Sequence, residues 1–141
     1  MQQMIPANPE RTRPARVLAV DDERHIARLI EFVLKKEGYE VRIAHSGEQA
    51  IEAIEDFSPD AMLLDLILPG MSGLDVLKRL KADDKHSKLA VMVLTARSFE
   101  EMPAEVLEAG AHLHCTKPIA PSSLIRKLLD LKVPPVFVEA A

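Results

Sequence analysis

Apolar and polar positions along this chain follow two periods in turn, and each change of period marks the end of an element. Val17–Val20 is an unbroken apolar run, as in a strand buried on both faces. From Glu23 the spacing changes. Ile26, Leu29, Ile30, Val33 and Leu34 recur at i, i+3, i+4, i+7 and i+8, one stripe of an amphipathic helix. Lys35 and Lys36 suit its C-terminal end, and Gly38 supplies a left-handed cap. Tyr39, Val41 and Ile43 then alternate with Glu40 and Arg42, which predicts a strand exposed on one side. Helical spacing returns in "EQAIEAIEDF" through Ala50, Ile51 and Ile54.

The second half repeats this alternation. "AMLLD" reads as a buried strand ending at Asp65, and "LILPGMSG" as a loop before a helix built on Leu74, Leu77 and Leu80. "KLAVMVLT" is the fourth strand, Glu100–Glu108 a helix stopped at Gly110, and "AHLHCT" the fifth strand. "PSSLIRKLLDL" is the last helix, with Pro121 in its first turn. Five strands alternating with five helices predict an α/β fold with a parallel sheet covered on both faces. Residues 1–14, polar with Pro6, Pro9 and Pro14, read as a disordered leader; 15–131 form one domain, and 132–141 a short tail.

Composition narrows the class. A chain of 141 residues is long enough to bury a core. Its net charge of −4 lacks the basic footprint of nucleic-acid binding. One cysteine, Cys115, permits no internal disulfide and suits a reducing compartment. No apolar run reaches the ~18–20 residues of a membrane span, and the N-terminus has no signal-peptide core, so a cytoplasmic protein is expected. The five histidines, His25, His45, His86, His112 and His114, share no ligand spacing, and Glu23 reads as a first-turn acid favoured by the helix dipole.

The candidate chemistry lies just past the strand ends. Asp21 and Asp22 follow the first strand, Asp65 ends the third, Thr95 ends the fourth and Lys117 follows the fifth. In open parallel sheets that edge is where ligands bind. Three crowded carboxylates raise one another's pKa unless a cation sits among them. Oxygen donors without His or Cys favour Mg²⁺, which also binds phosphoryl oxygens. Mg²⁺, the Thr95 hydroxyl and the Lys117 ammonium match the three equatorial oxygens of a phosphoryl group in transfer, which leaves Asp65 as nucleophile.

These pieces resemble the receiver domain of response regulators from two-component signalling. "VLAVDDE", "MLLDLILPGMSGLDVLKRL", "VMVLTA" and "LEAGAHLHCTKPI" carry the resemblance, with Thr95 thirty positions after Asp65 and Lys117 twenty-two positions after Thr95. It covers roughly residues 15–131. It implies a flavodoxin-like, doubly wound five-stranded parallel sheet of order 2-1-3-4-5. It implies a stand-alone signalling switch, not an enzyme, whose Asp65 takes a phosphoryl group from a sensor histidine kinase or histidine phosphotransfer protein. Asp22 would bind Mg²⁺ directly and Asp21 mainly through water, with Asp65 and the backbone carbonyl of Ile67 completing the protein ligands. Thr95 would be the switch hydroxyl beside the Ala96 N–H. Lys117 would pair with the phosphoryl group, aimed by a cis bond to Pro118, and Pro69, Gly70 and Gly73 would shape the loop. Ile67 and Arg97 would influence hydrolysis of the acyl phosphate. The output would pass to a protein target through the face of residues 98–131, from a monomer or a phosphorylation-dependent dimer.

One position departs from the family. Where a Tyr or Phe switch ring is common, this chain has His114. Two other readings stand beside the switch. A pseudo-receiver would bind partners without phosphate, which the full set of site residues opposes. An Asp-nucleophile phosphohydrolase would need an acid two residues after Asp65, where Ile67 stands.

Overall fold

The computed structural model describes residues 12–96 and 102–138. In chain order the elements are β1 (Thr12–Pro14), β2 (Arg16–Val20), α1 (Arg24–Lys36), β3 (Glu40–Ala44), α2 (Gly47–Phe57) and β4 (Ala61–Asp65). There follow α3 (Gly73–Lys81), a 3₁₀ turn at Asp84–His86, β5 (Ala90–Thr95), α4 (Ala104–Glu108), β6 (Leu113–Thr116), α5 (Pro121–Asp130) and β7 (Val136–Val138). Five strands form a parallel sheet in the order β3-β2-β4-β5-β6. Counting only its own strands, that order is 2-1-3-4-5.

Period-two geometry divides each apolar run between two cores. Leu18, Val20, Met62, Leu64, Val91 and Val93 pack on one face with Ala50 and Ile54 of α2, Val76 and Leu77 of α3, and Val106 of α4. Val17, Ala19, Ala61, Leu63, Met92 and Leu94 pack on the other with Ile30 and Leu34 of α1 and Leu124 and Leu128 of α5. Both faces are covered, which is why the central strands carry no polar alternation. β3 lies at the sheet edge and does alternate: Glu40 and Arg42 are exposed. Among the described residues no helix is long and apolar enough to cross a membrane.

The outer segments depart from the sequence expectation. The end of the expected leader, Thr12–Pro14, pairs antiparallel with Val136–Val138 of the expected tail. The Ala15 N–H donates to the Pro135 carbonyl at 2.8 Å, continuing the ribbon. The Arg13 guanidinium grips Asp60 with both terminal nitrogens at 2.8 Å and lies 5.3 Å over the Phe137 ring. Side-chain anchors thus order a segment whose composition has no periodicity. Residues 1–11 and 139–141 lie outside the described residues, as do 97–101, the first part of the expected helix at Glu100–Glu108.

Candidate phosphoacceptor and metal site

Strand order reverses at β2, which has β3 on one side and β4 on the other. The crevice beyond their carboxyl ends collects the acids. Asp21 follows β2, its N–H donating to the Ala44 carbonyl at 3.0 Å, and Asp65 is the last residue of β4. Thr95 closes β5, and its carbonyl accepts from the Lys117 N–H at 2.8 Å, which joins those two positions through the backbone. Asp21 is fully buried, Asp65 and Thr95 are buried, and Asp22 is exposed.

Lys117 is the centre of the arrangement. Its Nζ donates to Asp65 Oδ2 at 2.8 Å and lies 2.7 Å from Asp21 Oδ2. Both contacts are ion pairs, and the one to Asp21 reaches a fully buried carboxylate. The remaining oxygens are held by backbone: Asp21 Oδ1 accepts from the Glu23 N–H at 2.9 Å, and Asp65 Oδ1 from the Ile67 N–H at 3.0 Å. Burial alone would lower the Lys117 pKa, but Asp21 and Asp65 outweigh it and hold the ammonium above its ordinary value. Burial raises the Asp65 pKa; Lys117 and the Ile67 N–H pull it back, Asp21 adds to the rise, and the result stays above the usual carboxylate value.

Carboxylate oxygens of Asp21, Asp22 and Asp65 all lie within 4.8 Å of one another. Among the described residues one ammonium meets these three acids, a net negative balance, and every acidic donor is a hard oxygen. That chemistry fits Mg²⁺.

The loop after Asp65 is shaped by close approach. A Cβ on Gly73 would stand 2.3 Å from the Asp65 carbonyl oxygen and 2.8 Å from Leu66 Cα, so only glycine fits. Gly70 has φ +73°, in the left-handed region. Ser72 and Asp75 close a capping box at the start of α3. The Lys117–Pro118 peptide is cis. The Ile67 side chain is 75% exposed, standing out of the site while its N–H faces in. His114 lies within β6, half-buried and in register with Val93. Arg97 lies outside the described residues.

Two participants escaped the sequence reading. Glu23 is the N-cap of α1, and its Oε1 approaches Lys117 Nζ to 3.4 Å, making it a further acid on the same cation. His45, after β3, places Nδ1 3.0 Å from the Asp21 carbonyl oxygen. The only available signal was that both flank strand ends. A second cluster, Glu55, Asp83 and His86, gathers elsewhere, with His86 Nε2 3.2 Å from Glu55. There Lys85 Nζ also lies 3.5 Å from Glu55, so that acid is met by a protein cation.

Residues 17–129 match the family described as response regulator receiver domain. Among solved structures, a response regulator receiver domain protein (CheY-like) from Methanospirillum hungatei JF-1 is 30% identical, with TM-score 0.77 over 85% of this chain and 95% of that one. The chemotaxis response regulator CheY4 of Vibrio cholerae is 28% identical, with TM-score 0.80 over 84% and 99%. A protein from Chloroflexus aurantiacus J-10-fl proposed to be a response regulator is 35% identical, with TM-score 0.78 over 84% and 98%.

Proposed function

The chain belongs to the response regulator receiver family, a family of signalling switches, and on that footing we propose that Asp65 is its phosphoacceptor. The observation that carries this is the Lys117 ammonium bridging Asp65 and Asp21 at the strand-end crevice. An Asp65 carboxylate oxygen attacks phosphorus while the bond from phosphorus to a partner's histidine nitrogen breaks. The electron pair leaves with the imidazole, and an acyl phosphate forms on Asp65. Asp21, Asp22, Asp65 and the Ile67 carbonyl would hold Mg²⁺, which supplies charge neutralisation to the phosphoryl oxygens. Lys117 pairs with a second oxygen. The Thr95 hydroxyl, at the end of β5, turns toward a third as the switch.

The donor is a sensor histidine kinase or a histidine phosphotransfer protein in the cytoplasm. The phosphorylated state is read by a protein target on the face of residues 98–131, of which 102–131 are described. His114 occupies that face and serves as the switch ring. NMR of its imidazole with and without a beryllofluoride mimic separates a moving ring from a fixed one.

The direct test is incubation with acetyl phosphate and Mg²⁺, then mass-spectrometric mapping. The label is expected on Asp65 and absent from Asp65→Asn. Undiminished labelling of that variant would remove Asp65 from its role.

A further inference from the structure

We propose that His45 is a positioning residue for the acidic site, holding the peptide that joins Asp21 to Asp22. The inference rests on the reading of that site as the Mg²⁺ and phosphoryl centre. A carbonyl oxygen can only accept, so in the 3.0 Å contact with Asp21 the ring donates, with hydrogen on Nδ1. The peptide so held sets the last backbone rotation of Asp21 and the first of Asp22. Those two rotations decide where the Asp22 carboxylate stands relative to the buried ones.

The other anchors of this turn do not do the same work. The Asp21 N–H is fixed on Ala44, and the Glu23 N–H on Asp21 Oδ1, so the groups on either side are tied. His45 ties the carbonyl between them. The histidine is itself braced: its backbone N–H donates to Gln49 Oε1 at 2.8 Å, and the Gln49 backbone N–H donates to Ser46 Oγ, the N-cap of α2, at 3.1 Å. The start of α2 is thereby connected to the acids that follow β2 through one histidine. Outer partners of this kind orient ligands, and their loss is felt as affinity more than as stability.

The test compares His45→Ala, His45→Asn and His45→Gln in the full chain. The asparagine amide nitrogen stands at the same distance along the side chain as Nδ1; the glutamine nitrogen stands one bond farther. By calorimetric titration, His45→Ala is expected to bind Mg²⁺ about three- to tenfold more weakly, the size of one net hydrogen bond. His45→Asn is expected to stay within about twofold of the wild type, and His45→Gln to resemble alanine. In the metal-free protein, amide exchange at Glu23 should quicken in His45→Ala and recover in His45→Asn.

A melting temperature lowered in all three variants with Mg²⁺ affinity unchanged would overturn the proposal, because a packing role behaves that way. So would equal weakness of the alanine and asparagine variants. Failure of Asp65 labelling beside the expected Mg²⁺ series would strike the proposed function and leave His45 in place. Normal labelling beside a flat series would strike His45 alone.

Discussion

Asp60 precedes β4 and Asp65 ends it, and each carboxylate meets a cation, Arg13 in one case and Lys117 in the other. Their pKa values nevertheless move in opposite directions. Burial pushes Asp60 up, but the Arg13 fork and the Arg16 N–H at 2.8 Å outweigh it and leave the carboxyl below its ordinary value. Asp65 shares its single ammonium with Asp21, and there burial prevails. The presence of an ion pair therefore does not separate a structural acid from the proposed phosphoacceptor. The share of positive charge does: Asp60 has a whole guanidinium, bidentate and satisfied, whereas Asp65 remains short of one and gains from a cation.

Substitution should break this pairing of opposites in opposite directions. Asp60→Ala strands the Arg13 fork and a backbone donor, and is expected to cost about 3 kcal/mol in urea unfolding at neutral pH. Because the folded-state pKa is depressed, the stabilisation is present above the ordinary carboxylate pKa and lost as pH falls through the lower folded value. The gap between wild type and variant should thus close below about pH 4.

Asp65→Asn is expected to do the reverse, raising the melting temperature by a smaller amount. Its pKa is raised in the folded state, so ionisation costs stability at neutral pH and costs nothing once both states are protonated. Mg²⁺ should stabilise the wild type, by ~2.7 kcal/mol at 100 times its dissociation constant, and erase the advantage of the variant. Thermal melts with and without the ion check both points.

Tyr39 extends the comparison to the Asp60 end of the sheet. It is buried, donates to the Val133 carbonyl at 2.7 Å and has its pKa pushed up to about 12 by burial, with Glu37 adding to the rise. The folded state resists ionisation, so stability should be complete below about pH 10 and fall as pH rises toward 12. Tyr39→Phe should lose about 1 kcal/mol at neutral pH and show no such alkaline decline. The smallest effect belongs to Glu23→Gln. With the side chain half exposed and 3.4 Å from Lys117, it should shift stability by less than about 0.5 kcal/mol.

The legible parts of the molecule were those with a period or a strand end. Val17–Val20 and Ala61–Leu64 declared themselves because a strand buried on both faces needs an apolar residue at every position. Asp21, Asp65 and Lys117 stood out because polar residues terminate those runs at one edge. The Arg13–Asp60 clasp could not be read: its partners are 47 residues apart, and neither lies in a periodic segment. The ribbon of Thr12–Pro14 with Val136–Val138 is three residues wide and joins opposite regions of the chain, too short for alternation to register. Glu23 looked like an ordinary helix-start acid because its second contact comes from beyond β6. His45 was one histidine among five, and only the parallel pairing of β2 with β3 brings it to Asp21.

That ribbon also fixes how the domain would respond to tension. Thr12 lies opposite Val138, so a pull through those residues loads the ribbon at its open end, one residue pair after another. Its backbone bonds would part in sequence, like a zipper, until load reached the Arg13–Asp60 clasp. The parallel sheet and its acidic crevice would meanwhile stay unloaded. Stretched in an optical trap, the molecule should lengthen in a small, low-force, reversible step well before the cooperative rupture of the sheet. Asp60→Ala should soften that first step and leave the second in place.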